Sequence, residues 1–347
     1  MQSIAKILLY AQKNKASDVH LASGNPPSFR IDGEMRRIGS MESLTNEQVE
    51  SMLEQITTKE QREHYSKNLE LDFAIQISKD ARFRVNAFKN INGSAIVLRE
   101  IPMIVKSLEE LNTPLAIREL TKVKKGLILV VGATGSGKST TLAAMIDSIN
   151  INYHKHIITV EDPVEFVHHP KKSIINQREI GASTKSFANA LRGALRENPD
   201  VILVGEMRDK ETIELALTAA ETGHLVFGTL HTNSAASTVN RIVDVFAPEE
   251  KDGIRSALAN SMCAVISQSL LKKNGGGRCA VFEIMIANNS IRNLIREDKI
   301  AQINSIIELN QKLGMCLMAS SLRNLFETGL ISQETYEFEL SNNRMIN

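Results

Sequence analysis

The sequence predicts an α/β protein in two domains: a small α+β domain over residues 1–100, a linker over 101–114, and a domain of alternating strands and helices over 115–347 that ends in a helical region. Three observations predict it. Before residue 100, apolar residues alternate with period two in short runs separated by turn residues, the pattern of an antiparallel sheet. From Leu127 onward, short continuous apolar runs alternate with helical patterns, which implies a parallel sheet with crossover helices. Between the first such run and the first such helix stands a glycine-rich loop, residues 132–139. A chain of 347 residues is long enough to bury two cores.

Taken in order, Ile4, Ile7, Leu8 and Ala11 recur at i, i+3, i+4 and i+7 and open the chain with an amphipathic helix. A Gly-Asn-Pro-Pro loop follows at 24–27, then Phe29 and Ile31 alternate like a strand and Asp32-Gly33 is a hairpin signal. Thr45 and Gln48 make a capping box for a helix with Val49, Met52, Leu53 and Ile56 on one face, and a second helix begins near Thr58. Leu69, Leu71, Phe73, Ile75 and Ile77 share one face of a strand. Phe83, Val85 and Ala87 point inward from the next, which puts Arg82, Arg84 and Asn86 on the opposite face. Residues 90–93 turn, and a further strand runs to Arg99.

In the second domain the predicted strands are 127–131, 156–160, 201–204, 225–229 and 280–284, with helices near 139–149, 187–196 and 209–221. Residues 275–277 are three glycines in a row and read as a connector. After Ile286 the pattern is helical at 291–296, 300–313, 315–327 and 333–340.

The loop Gly132-Ala133-Thr134-Gly135-Ser136-Gly137-Lys138-Ser139 fits G-x-x-x-x-G-K-[ST], with strand before it and helix after. Its glycines allow positive φ and bring backbone N–H groups to phosphate oxygens, and the helix N-terminus adds partial positive charge. Lys138 reaches the β- and γ-phosphates, the Ser139 hydroxyl can ligate Mg²⁺, and Thr140 closes the binding segment. The expected ligands are therefore ATP and Mg²⁺.

Ligands of parallel sheets sit at the carboxyl ends of the strands. Strand 156–160 is followed by Glu161-Asp162-Pro163-Val164-Glu165, strand 201–204 by Gly205-Glu206, and strand 225–229 by His231. Glu161, Asp162 and Glu206 are candidates for the Mg²⁺ region, and Glu206 ends a buried apolar run, where an acid holds Mg²⁺ or orients the attacking water. His224 and His231 flank one strand and point to opposite faces. For His231 two readings stand, a structural residue at a strand end or a sensor that donates a hydrogen bond to the γ-phosphate. Arg82 and Arg84 likewise line a solvated sheet face or act in trans as arginine fingers.

Bulk properties narrow the class. Lys and Arg total 41 against 40 Asp and Glu, a net charge of +1, and aromatics are 4% with no Trp. That composition offers no basic stripe to release counterions and no platform to stack bases, which argues against a nucleic-acid translocase. A nucleotide-gated binding module needs no water-positioning acid, so Glu165, Glu206, Lys138 and His231 together favour hydrolysis. No apolar run reaches the ~18 residues of a membrane-spanning helix, and the first ten residues lack a signal-peptide pattern, so a cytoplasmic location is expected. Cys263, Cys279 and Cys316 are distant and odd in number, so buried thiols are expected.

GATGSGKSTTLAAMID at 132–147, TVEDPVEFVH at 159–168, PDVILVGEMRD at 199–209 and TGHLVFGTLHTNSA at 222–235 together resemble the Walker A, Asp box, Walker B and His box of the type II/IV secretion ATPase superfamily. ASDVHL at 16–21 and RFRVNAF at 82–88 resemble its N-domain signatures, so the likeness spans nearly the whole chain. Residues 290–297, SIRNLIRE, resemble the AIRNLIRE motif of the superfamily's pilus-retraction ATPases, departing at Ser290. The resemblance implies a PAS-like N-terminal domain, a RecA-like P-loop ATPase domain, and a homohexamer with ATP at subunit interfaces. It also implies pilus retraction and twitching motility, with an inner-membrane platform protein as partner at the cytoplasmic face. It would make Glu206 the Walker B acid and Glu165 the Asp-box glutamate and candidate general base. Arg82, Arg84 and Arg99 would be interfacial arginines, without saying which glutamate takes the proton. For residues 290–297 the charge pattern leaves two readings, a structural helix whose charges only solvate it or a coupling segment with Ile291, Leu294 and Ile295 packed inward and Arg292, Arg296 and Glu297 free for a partner. The resemblance implies coupling.

Overall fold

Ile4, Ile7, Leu8 and Ala11 form the buried face of α1 (Ile4–Lys13), as their spacing requires. The structure, a computed structural model, describes residues 3–31, 34–37, 42–78, 81–101 and 104–346, the last five as backbone alone. The expected Asp32-Gly33 turn and Pro102 of the expected linker lie outside the described residues. Two units are distinguished, Met1–Ile104 with Glu165–Val167, and Val105–Val164 with His168–Asn347.

In the first unit, β1 (Asp18–Ala22), β2 (Ser28–Ile31) and β3 (Glu34–Arg37) precede α2 (Asn46–Glu54) and α3 (Lys59–Asn68), and β4 (Glu70–Ser78), β5 (Ala81–Asn90) and β6 (Gly93–Ile101) follow. Among the described residues these strands make one sheet, order β3-β2-β1-β6-β5-β4, with every pair antiparallel. Reciprocal capping boxes start both helices, Thr45 with Gln48 and Thr58 with Gln61. Val19, Leu21, Phe83, Val85, Ala87, Ile96 and Leu98 fill the core. One expectation fails here. Leu69 does not share the Leu71 face; it is the left-handed C-cap of α3 (φ 61°) and is exposed. The helix end takes the residue before the strand can.

The second unit runs α4 (Leu115–Leu120), β7 (Gly126–Val131), α5 (Lys138–Asn152), β8 (His156–Glu161), β9 (Ile174–Glu179), α6 (Phe187–Ala194), β10 (Val201–Val204), α7 (Lys210–Glu221), β11 (Leu225–Leu230), α8 (Ala235–Val243), α9 (Lys251–Ser261), β12 (Met262–Lys272) and β13 (Arg278–Ile286). Four helices close it, α10 (Asn289–Arg296), α11 (Ile303–Leu309), α12 (Met318–Glu327) and α13 (Gln333–Ile346). The described strands order as β13-β12-β7-β11-β10-β8-β9. Every pair is parallel except β12–β13, so the strand expected at 280–284 is not part of the parallel set but an antiparallel edge. The glycine connector is the hairpin turn that makes it so, with Gly275, Gly276 and Gly277 all at positive φ. The helix expected over 300–313 is α11 flanked by 3₁₀ turns at Ile300–Gln302 and Gln311–Leu313. All six residues of β7 and of β11 are buried, which explains their unbroken apolar runs.

The loop after β8 folds back on α5. Asn150, fully buried, donates to His169 O (2.8 Å) and accepts from Lys171 N (2.9 Å), while Lys171 Nζ pairs with Asp147 (2.8 Å). Burial pushes the neighbouring His168 down to about 4, against the weaker upward pull of Asp147. Its folded pKa lies below its unfolded value, so the native state resists protonation and stability falls as pH drops from about 6.5 to about 4. The loss is on the order of 3 kcal/mol at the acid end of that window. His168→Gln should flatten the dependence of melting temperature on pH there, and an unchanged slope would exclude this source.

Candidate active site

The sheet order brings the expected chemistry to one edge. β7, β11, β10 and β8 are consecutive neighbours, and their carboxyl ends lead to the glycine loop, His231, Gly205-Glu206 and Glu161 respectively. No loop has to reach far for these groups to meet.

Gly132 leaves β7 at φ 142°, where a Cβ would lie 2.2 Å from Gln268 O and 2.7 Å from Ser136 Oγ. Gly137 caps α5 at φ 90°. Both must be glycine for the loop to lie this close to β12. Ala133, Thr134 and Gly135 form the exposed rim, while Ser139 and Thr140 are half-buried in the first turn of α5. Lys138 is 8% exposed and its ammonium donates to Gly132 O (2.7 Å) and Ala133 O (3.0 Å), which holds the cation inside the loop.

Glu206 is fixed from both sides. Gly205 N donates to Val160 O (2.7 Å), and Met207, 3% exposed, donates its N–H to Thr229 O (3.0 Å). The Thr229 hydroxyl in turn donates to Gly205 O. Glu206 Oε1 then meets His231 Nε2 at 3.2 Å and Arg208 Nε at 2.6 Å. Burial alone would raise the Glu206 pKa, but the hydrogen bond and charge of Arg208, and then His231, hold it below the ordinary carboxylate value. The structure thus joins two residues singled out in the sequence, Glu206 and His231, and adds Arg208. Arg208 carried no periodic signal, because residues 205–208 form a loop beyond the end of β10. His224 serves differently: its N–H and ring Nδ1 both meet Ala219 O (3.1 and 2.9 Å) at the end of α7.

Glu161 accepts from Thr159 Oγ1 (2.7 Å) and Gln177 Nε2 (3.3 Å), so it turns along the β8–β9 edge, and Asp162 is exposed beyond it. Glu165 is an exposed residue of the first unit's 165–167 segment. Within the first unit, Arg84 stands directly opposite Arg99 in the sheet register, and Arg82 lies two residues along the same face. Arg99 is bound by Asp18, a carboxylate only 5% exposed (2.8 Å), which Arg30 flanks at 3.6 Å.

The expectation for residues 290–297 needs correction. Ile291 and Ile295 are buried and Leu294 partly so, but Arg292 is not free. Its guanidinium donates to Ala287 O (3.0 Å), Asn260 O (2.8 Å), Met262 O (2.8 Å) and Ala259 O, closing the last turn of α9. Arg296 binds Asn293 Oδ1 (3.0 Å) and Asn260 Oδ1 (2.9 Å), and Glu297 pairs with Lys299 (2.7 Å). Arg292→Ala is therefore expected to cost about 2–4 kcal/mol through orphaned helix carbonyls. Exposed Arg296→Ala should cost about 0.5 kcal/mol or less. Equal melts for the two variants would contradict the capping role.

The family model of type II/IV secretion system proteins matches residues 1–335. The chain belongs to this family. One member, the type IV pilus retraction ATPase PilT of Pseudomonas aeruginosa, is 53% identical over 95% of this chain and 96% of its own. A twitching motility protein of Neisseria gonorrhoeae is 57% identical, covering 89% of this chain and 82% of that one. Among solved structures, the pilus retraction motor PilT with bound ADP aligns at a TM-score of 0.91 and 46% identity, covering 97% of this chain and 96% of that one. The α/β fold expected, a secretion-ATPase RecA-like core preceded by an N-terminal domain, is the family's fold. The segments that follow β10 and β11 are thus what places His231 against Glu206 here.

Proposed function

We propose that the chain is a motor ATPase that powers retraction of type IV pili, and with it twitching motility, by hydrolysing ATP. The observation that carries this is the array of neighbouring strand ends that delivers a phosphate loop, an imidazole and two carboxylates to one edge. The extent of the match to PilT supports the biological role.

The residues fit a nucleotide. Ser136 Oγ is buried and has no hydrogen-bond partner among the described residues, an atom a ligand of this loop would satisfy. Lys138 would bind the β- and γ-phosphates and Gly132 to Thr140 would wrap them. Ser139, with Glu206, Glu161 and Asp162 as candidate outer ligands, offers the hard oxygens Mg²⁺ prefers. When bound, Mg²⁺ neutralises phosphate charge. Glu206, kept ionised by Arg208 and His231, is suited to orient water and accept its proton, with Glu165 the other candidate base. His231 can donate through Nε2 to carboxylate or phosphate.

The working assembly is read as a homohexamer, with Arg82, Arg84 and Arg99 supplied to a neighbour's nucleotide. Asp18 would hold Arg99 ready for that use. An inner-membrane platform protein is the expected load, with the chain peripheral at the cytoplasmic face; among the described residues no helix is long and apolar enough to cross a membrane. Purified chain should release phosphate from Mg·ATP as a particle of six subunits by light scattering. A folded chain without turnover, at any concentration that sustains the particle, would overturn the enzymatic reading.

A further inference from the structure

We infer that Gln268 is a positioning residue that holds the phosphate loop in its binding shape, an inference that rests on the nucleotide-site reading above. β12 pairs in parallel with β7 only as far as Ser267 opposite Val131, then runs on to Lys272 while β7 ends. Gln268 is thus the first residue past the shared ladder, directly against the point where the loop begins. It is 3% exposed, and a buried amide needs partners for both its ends. Its Nε2 donates to Ser136 O (2.8 Å) and its Oε1 accepts from Thr141 Oγ1 (2.7 Å).

The orientation of the amide follows from its partners, because a main-chain carbonyl can only accept. The contact is wider than two hydrogen bonds. A Cβ on Gly132 would lie 2.2 Å from Gln268 O, and one on Gly137 would lie 2.7 Å from Gln268 Nε2. Two of the loop's glycines are therefore moulded on this one residue, at the loop's start and at the helix cap. The side chain ties the loop's Ser136 to the first turn of α5, so that the N–H groups between them keep their aim. A glycine-rich segment gains most from such a brace, since it has the most conformational freedom to lose on ordering.

The test measures ADP affinity by calorimetry, alongside melts, on the full chain. Gln268→Leu strands both Ser136 O and Thr141 Oγ1, and is expected to weaken ADP binding about tenfold or more as well as lower the melt. Adding Thr141→Val removes one stranded group, so part of the melt should return while the affinity stays low, because Ser136 O still lacks its donor. If the leucine variant does not fold, Gln268→Glu carries the test: it matches the size and keeps an acceptor for Thr141, yet sets a carboxylate against Ser136 O. ADP affinity equal to wild type in a folded variant would overturn the inference, as would affinity recovering in step with the melt in the double variant. A wild-type chain that melts cooperatively but binds no ADP would instead overturn the nucleotide-site reading, and this inference with it.

Discussion

Glu206→Gln should keep nucleotide binding and lose turnover by about 10³-fold or more, the pattern of an interaction made only in the transition state. The geometry favours this substitution as a clean one. Gly205 and Met207 fix the backbone on both sides of residue 206, and neither bond involves the side chain. Gln keeps an acceptor for Arg208 and His231, which both meet Oε1 at 2.6 and 3.2 Å. What it loses is the negative charge and the ability to take a proton. Single-turnover and steady-state phosphate release beside ADP affinity would check it. Turnover at the wild-type rate would move the base elsewhere, to Glu165 first.

Lys138→Ala should have the opposite signature. The ammonium sits inside the loop on Gly132 O and Ala133 O, almost fully shielded, where a charge-assisted bond to phosphate is stronger than at the surface. Its removal should weaken ATP by about 100-fold or more, measured by fluorescent-nucleotide titration. Comparable affinity in a folded variant would mean that backbone N–H groups alone hold the phosphates. The two variants thus separate binding from chemistry.

The glycine loop, the acids and the histidine were legible in the sequence because each stands at the end of a buried apolar run with sharp ends. β9 was not, because an edge strand reading IINQRE carries polar residues at most positions and shows no alternation. β12 was hidden for another reason. α9 passes straight into it at Met262 with no turn residue between, so no punctuation marks where the strand begins. That concealed Gln268, although a glutamine inside an apolar run was the available signal. The anchoring of Arg292 does not show in the sequence because its partners are main-chain carbonyls at the end of α9 and of Met262 and Ala287, which no side-chain pattern reports. The antiparallel setting of β13 depends on the glycine hairpin before it, and that became visible only once β12 was in place.

The central claim is that hydrolysis at this site drives retraction, and surface pili counted by electron microscopy test it most directly. Cells whose only copy of the chain carries Glu206→Gln should bear surplus pili and fail to twitch, because assembly continues while removal stops. Bald cells would assign the motor to assembly, and normal piliation with normal twitching would contradict the account.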